Sequence, residues 1–359
     1  MGAGVVGLTI AKSLSDRGLK VLVIEKEVRS GESTSSRNSG VIHAGMYYPE
    51  KTLKADLCLK GNKLLYEYAL EKKINHKRLG KIIIANTDEE ILKLENIYSQ
   101  GIKNKVNLTK VSSDFIKQEE PSLQSKAGIL SPDTGIIDVP EYITALEGDI
   151  QHNQGLIVFN TMCKKIKYVD KKFEIYCESS ENFKVESKIL INSSGLSSDQ
   201  ISNKMDFLDK KFIYKINYAK GHYFKYSGKN PFKRLIYPVH SESSLGIHVG
   251  FDLSGQLRFG PDLTWVKNID YLFDESLKSK FLESITRYWK EINPDKLQPD
   301  YCGIRPKIQK KNEKMKDFSI LGPKDHKIDG FVNLQGIESP GVTSSLAIGK
   351  YVTKLLLKN

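Results

Sequence analysis

The opening glycines constrain the fold of this chain more than any other stretch. They stand at positions 2, 4 and 7, and Val6, Ile10 and Leu14 then recur at helical spacing until Gly18 stops the run. In LKVLVIEKE, Val21 to Ile24 form a continuous apolar run ending at Glu25, the pattern of a strand buried on both faces. Turn, helix, strand and acid in this order build a dinucleotide-binding unit of a doubly wound α/β fold. In such a G-x-G-x-x-G turn the first glycine bends the chain and the second lets backbone approach a pyrophosphate. The third admits close helix packing, and the positive end of the helix then faces the anion. Glu25, 18 residues after Gly7, is placed to accept from ribose hydroxyls and disfavours a 2′-phosphate. The strand that normally leads into the motif is truncated, because the glycines follow Met1 directly.

At 359 residues the chain exceeds one small core, and the usual domain size of roughly 100 to 200 residues predicts two domains. No apolar run approaches the roughly 20 residues of a membrane span, and Lys12 and Asp16 interrupt the first apolar stretch where a signal peptide would be uniform. The expected location is cytoplasmic. The four cysteines, at 58, 163, 177 and 302, lack C-x-x-C or Cys/His ligand spacing, which argues against a metal site and a disulfide framework and for buried free thiols. The net charge of +12 comes from dispersed lysines without an aromatic-interleaved basic motif, so nucleic acid is not an expected partner. Attraction to acidic substrates, or to an anionic membrane as a peripheral protein at the inner membrane, remains open.

Further along, KIIIAN (81–86) reads as a strand and DEEILKLENIYSQGI as an amphipathic helix with acids in its first turn. Residues 155 to 195 alternate apolar and polar, with Asp170-Lys171-Lys172 as a hairpin turn. SSDQISNKM suggests a short capped helix, strands are expected over 212–226 and 234–259, and a long helix over 274–292. Pro340-Gly341 starts a final helix through VTSSLAIGKYVTKLL.

The nicotinamide and flavin dinucleotides share the glycine fingerprint. Here GAGVVGLTIA, VLVIEKE, TSSRNSGVIHAGMYYP, LKADLCLKG, SPDTGIIDVPEY, LINSSG, GIRPK and GIESPGVTSSLAIGKYV together resemble the FAD-dependent oxidoreductases of the D-amino-acid oxidase superfamily. Within it the resemblance is greatest to the L-2-hydroxyglutarate dehydrogenase/oxidase group, and glycerol-3-phosphate dehydrogenases are similar around the Ser-Arg-Asn and His-Ala-Gly run. The resemblance implies a Rossmann-like FAD-binding domain of the glutathione-reductase type, discontinuous over 1–80, 138–205 and 313–359. An α+β domain with a mixed sheet, over 81–137 and 206–312, would bind substrate.

By the same resemblance, FAD lies against Gly2, Gly4 and Gly7, with Glu25 and Lys26 at its ribose. The polar run supplies Ser35, Ser36, Arg37, Asn38, Ser39 and Gly40, and Gly195, Gly341, Val342 and Thr343 contribute near the pyrophosphate, ribityl chain and ring. A guanidinium suits a carboxylate because it gives two parallel hydrogen bonds, and Arg305 in CGIRPK resembles the arginine that clamps acid substrates in such enzymes. Lys307 and Lys220 are weaker supports for a second carboxylate. Oxidation of a 2-hydroxy acid passes the α-hydrogen as hydride to flavin N5 while a base takes the hydroxyl proton. His43 and His248 are the candidate bases, ahead of His222 and His240, and Tyr48 and Tyr223, with Tyr47, are candidates to line the substrate pocket.

The expected function is therefore FAD-dependent oxidation of a small 2-hydroxy acid, L-2-hydroxyglutarate foremost, with oxygen, a quinone or an electron-transfer flavoprotein as electron acceptor. Alternatives within the superfamily are an amino-acid or amine oxidase and a glycerol-3-phosphate dehydrogenase. From other classes come a non-catalytic flavin-binding subunit and a tRNA-modifying flavoprotein, the latter without a dedicated binding segment.

Overall fold

The computed structural model describes residues 1–239 and 246–357. The first helix, Val5–Ser15, starts directly at Gly4, and Leu8, Ala11 and Leu14 turn into the core. It packs against the closing helix Gly341–Leu356, where the glycine at 349 allows a crossing so tight that an added Cβ would lie 2.6 Å from the Thr9 carbonyl. Leu22–Ile24 pairs in parallel with Leu156–Val158. Leu190–Asn192 pairs in parallel with Phe331–Gln335, which has Ser319–Leu321 antiparallel on its other edge. Met1 and Gly2 lie between these two groups of strands. The Met1 amino group donates to the Ile191 carbonyl at 3.0 Å, and the Gly2 amide to the Ile24 carbonyl at 2.8 Å. The Met1 carbonyl accepts from Ser193 at 3.1 Å. Two residues thus occupy the place of the strand that leads into such a glycine motif.

A separate antiparallel sheet is formed by Met162–Val169, Lys172–Glu178 and Asn182–Ser187. Its first hairpin turns at Asp170 and Lys171, both at positive φ (48° and 59°), as a two-residue turn of the favoured twist requires.

The second layer is a nine-stranded mixed sheet whose strands all come from 81–131 and 217–307. Asn217–Tyr226 runs through its middle, pairing along one side with Leu297–Lys307 and along the other with Leu257–Phe259 and Thr264–Val266. Lys81–Ala85 is also internal, parallel to Leu235–Pro238 and antiparallel to Ala127–Ser131, and all five of its residues are buried. β-branched side chains suit such a doubly covered strand, and the three isoleucines fill it. The expected helix over 88–103 is present, with Thr87 capping its Glu90 amide.

Three expectations need correction. The long helix over 274–292 is a single 3-10 turn, Glu275–Leu277, followed by Lys278–Thr286 only. Beyond it Tyr288 and Trp289 turn into the core, where the indole packs edge-on to Tyr226 and Phe232 and the Tyr288 hydroxyl donates to the Ile247 carbonyl. Tertiary anchoring ends the helix there. The strand expected from 212 begins at Asn217, and the stretch 234–259 contains Leu235–Pro238, Val249–Phe251 and Leu257–Phe259 as separate short strands. Ser198–Ser202 is helical but its N-cap Ser197 makes no side-chain bond to it. All four cysteines are buried and free. No helix among the described residues is long and apolar enough to cross a membrane.

Candidate functional site

A cavity of about 440 Å³ lies where the glycine turn, the 31–43 loop, the start of the closing helix and the face of the large sheet meet. The glycine turn is shaped by close backbone contacts. Gly2 sits at φ +95°, and a Cβ on Gly7 would lie 2.0 Å from the Gly2 carbonyl oxygen, so neither position admits a side chain. The N-cap, Gly4, offers no side chain to the helix, and the Ser35 hydroxyl accepts from the Val5 amide at 3.1 Å instead. The Glu25 carboxylate receives the Ala3 amide at 2.6 Å and the Glu27 amide at 3.0 Å, which fixes it at the mouth of the turn with acceptor capacity to spare.

The loop that follows is held to the sheet from below. An added Cβ on the strand residue Gly303 would lie 2.2 Å from the Arg37 carbonyl, and the Tyr301 hydroxyl donates to the Asn38 carbonyl at 2.8 Å. The Asn38 amide is spent within the loop, donating to Ser35 O at 2.7 Å and accepting from Gly40 N at 2.8 Å. Arg37 is different. Its guanidinium lies 4.1 Å over the Tyr271 ring, and its buried Nε has no hydrogen-bond partner among the described residues.

His43 follows the short strand Val41–Ile42 and is clamped on both sides of its backbone. Its amide donates to Thr343 Oγ1 at 3.0 Å, and its carbonyl accepts from Asn62 Nδ2 at 3.0 Å. The ring faces Ser339 Oγ through Nε2 at 3.3 Å, while the buried Nδ1 has no partner among the described residues. Burial first, then the positive charges of Lys81 and Arg305, pull its pKa from 6.5 down to about 3. The imidazole is therefore neutral at ordinary pH and able to accept a proton.

Arg305 projects from Leu297–Lys307 opposite Ala219 and lines the same cavity as His43. It forms no ion pair among the described residues, and the Tyr223 hydroxyl lies near both its guanidinium and Ser39. The Tyr223 ring stacks on Tyr301 at 4.6 Å. His248 lies immediately before Val249–Phe251, its ring stacked on Tyr237 with centroids 3.5 Å apart, and both rings face the cavity.

Most of the expected residues thus converge on one cavity. Gly2, Gly4, Glu25, Lys26, Ser35 and Arg37 line it, as do Asn38, Ser39, His43 and Gly195. Tyr223, His248, Arg305, Gly341, Val342 and Thr343 complete this set. Gly7, Ser36, Gly40 and Tyr48 stand off it. Ser36 donates to the Glu32 and Ser33 carbonyls, Gly40 turns the chain at φ +64°, and Tyr48 is buried beside Ser339. Neither lysine offered for a second carboxylate is available. Lys220 pairs with Asp270, and Lys307 holds both oxygens of Glu338 at 2.9 and 2.7 Å. His222 is committed to Asp262 at 2.9 Å, and His240 lies outside the described residues.

Sequence reasoning passed over three groups. Ser339, the partner of His43, sits in a loop that was read only as a helix start. Glu338 beside it accepts from Lys54 as well as Lys307, a buried cluster tying together Leu53–Glu71, the sheet and the closing helix. Lys81 was passed over although a lysine heading a wholly apolar run was a visible anomaly.

The sequence model of the DAO family, described as FAD dependent oxidoreductase, matches residues 1–355. The chain belongs to that family. FAD is accordingly its cofactor, and the protein is an oxidoreductase. Among relatives, L-2-hydroxyglutarate dehydrogenase, mitochondrial, of Arabidopsis thaliana is 35% identical, aligned over 100% of this chain and 83% of its own length. The glycerol 3-phosphate dehydrogenase of Caloramator mitchellensis is 30% identical over 99% of this chain and 72% of its own. Among solved structures, the FAD-bound L-α-glycerophosphate oxidase of Mycoplasma pneumoniae superposes with a TM-score of 0.88 at 24% identity, covering 99% of this chain and 93% of that one. Glycine oxidase from Geobacillus kaustophilus follows at 0.83 and 17%, covering 99% and 92%. These two likenesses establish the fold: a Rossmann-like cofactor layer joined to a mixed-sheet layer.

Proposed function

We propose that this protein oxidises a small 2-hydroxy acid, L-2-hydroxyglutarate to 2-oxoglutarate. The observation that carries the reading is a neutral, half-buried imidazole and, on the same cavity, a guanidinium without an ion-pair partner among the described residues, His43 and Arg305. The full-length likeness to L-2-hydroxyglutarate dehydrogenases supports the choice of acid.

The residues present fit FAD. The side-chain-free turn at Gly2 and Gly4, the positive helix start behind it and the Glu25 carboxylate would hold its pyrophosphate and ribose. Among the described residues Arg37 has a buried Nε still to satisfy, and the closing helix starts at Pro340 without a side-chain cap; its Gly341 amide donates to the Glu338 carbonyl, which leaves the Val342 and Thr343 amides for ribityl or ring oxygens. When bound, FAD supplies the two-electron acceptor. The protein does the rest. Arg305, braced by Tyr223, fixes the substrate carboxylate in a two-point grip. His43 takes the hydroxyl proton, and because burial and two nearby cations disfavour its charged form, proton uptake is eased once a bound carboxylate offsets those cations. The Ser339 hydroxyl at Nε2 and the Thr343 bond to the His43 amide orient the ring. The stacked rings of Tyr237 and His248 wall the cavity and would limit the access of water to the reacting carbon.

The test is anaerobic bleaching of the flavin absorbance by a panel of acids. L-2-hydroxyglutarate should reduce the bound flavin, while its D-enantiomer, glycine and L-proline should not. Reduction by amino acids instead would point to an amine-oxidising member of the family, and no reduction by any acid would indicate a non-catalytic flavin carrier.

A further inference from the structure

Among the described residues four lysines are buried: Lys54, Lys81, Lys220 and Lys307. Three have carboxylate partners, Lys54 and Lys307 on Glu338 and Lys220 on Asp270. Lys81 has none among the described residues. It is fully buried at the head of an internal strand, and its Nζ has no hydrogen-bond partner among the described residues. Its surroundings are aromatic, with Nζ 4.4 Å from the Tyr237 ring centre and 4.7 Å from that of Tyr47. An ammonium buried against ring faces alone is poorly compensated for the water it has lost. Burial accordingly lowers the pKa of this amine from 10.5 to about 7, as expected of a charge awaiting a partner.

The position of Lys81 gives that partner a direction. Tyr237 lines the cavity and carries His248 stacked on it, so Nζ is one side chain removed from the substrate end. Its charge is also felt at His43, alongside that of Arg305. Among the described residues, Arg305 on the cavity wall and Lys81 behind the Tyr237 ring both lack a carboxylate partner. A dianion with its charges at opposite ends of a short carbon chain satisfies both.

We propose that Lys81 binds the distal carboxylate of a dicarboxylic 2-hydroxy acid while Arg305 holds the carboxylate beside the reacting carbon. Lys81 is then the residue that selects dicarboxylates over monocarboxylates, a role that rests on the 2-hydroxy-acid reading above. A small turn of the Tyr237 ring and the reach of the flexible lysine stem bring the ammonium to the ligand, and the bound carboxylate keeps the amine charged.

The experiment is a titration of the FAD-loaded protein, wild type and Lys81→Met, with the unreactive acids glutarate and butyrate. Binding is followed by perturbation of the flavin absorbance. Wild type should bind glutarate more tightly than butyrate. Lys81→Met should weaken glutarate by about 10- to 100-fold, the worth of one charge-assisted contact, and leave butyrate within about twofold. Lys81→Gln, neutral but polar, should show the same contrast should the methionine variant fold poorly, and Lys81→Arg should restore part of the glutarate preference. Equal loss of both acids in the variants, or no preference for glutarate in wild type, overturns the proposal. So does glycerol 3-phosphate binding in a Lys81-dependent way while glutarate does not. A wild type that binds glutarate through Lys81 but is not reduced by L-2-hydroxyglutarate overturns the oxidation reading and leaves the binding role intact.

Discussion

His43 and Arg305 divide the chemistry of the site by the charge each can carry. The arginine is always cationic and acts as an anchor, so its geometry matters more than its charge. Arg305→Lys keeps the charge but loses the planar two-point grip. It should lower kcat/KM for a hydroxy acid by about 10- to 100-fold, most of it in KM, as steady-state kinetics will show. His43 must be neutral to accept a proton, and its folded pKa of about 3 lies below its ordinary 6.5. A group with a depressed folded value is deprotonated throughout the range above it. The acidic limb of kcat/KM attributable to His43 should therefore fall well below pH 6.5, and His43→Gln should cost about 100-fold or more in turnover of a hydroxy acid. An acidic limb at or above 6.5 that survives in His43→Gln would assign it to another residue. At this scale the sequence singled out both groups but left His43 and His248 level. What separates them is tertiary. His248 has its face covered by the Tyr237 ring, whereas His43 keeps a buried Nδ1 without a partner on the cavity.

The site is assembled where elements are tied together, and the tie that matters most is ionic. Glu338, in the turn before the closing helix, joins Lys54 of the helix Leu53–Glu71 and Lys307 of the strand carrying Arg305. Ser339 and the start of the closing helix are held in place through it. Burial works to raise the Glu338 pKa, but Lys54 and Lys307 outweigh it and hold the carboxyl down to about 2. Because this folded value lies below the ordinary 4.5, the stabilisation is complete above about pH 4.5 and is lost as pH falls through about 2. Glu338→Gln leaves two buried lysines uncompensated, and chemical denaturation at neutral pH should show a loss of about 3–5 kcal/mol. Near pH 2 wild type and variant should converge. A variant as stable as wild type at pH 7 would mean that the lysines find other partners. None of this was legible locally, because Lys54, Lys307 and Glu338 are remote in the chain and each looks like an ordinary surface charge. Elements with strong local signals, such as the helix 88–103 and the hairpin turning at 170–171, matched expectation. The helix expected over 274–292 did not, because Tyr288 and Trp289 gain more from the aromatic core than from extending it.

Across the whole molecule the cavity is walled by both layers, with the glycine turn and closing helix on one side and the large sheet on the other. A cofactor held between them binds the folded state and has little affinity for the unfolded chain, so it couples their stabilities. Stripping FAD should lower the unfolding free energy by about 4 kcal/mol relative to protein held at FAD 1,000-fold above its dissociation constant, and re-addition should restore it. Differential scanning calorimetry with and without FAD measures this, and an unfolding transition insensitive to FAD would argue against a cofactor spanning both layers. By itself the sequence determined the glycine turn, the family and the polar loop after the strand Leu22–Ile24, because glycine spacing, apolar periodicity and a short polar run act over a few neighbouring residues. Only the tertiary structure decided which cations are available to a substrate. Whether a lysine is neutralised depends on carboxylates brought to it from distant segments, and that pairing removed Lys220 and Lys307 and left Lys81 in the core without a carboxylate partner among the described residues.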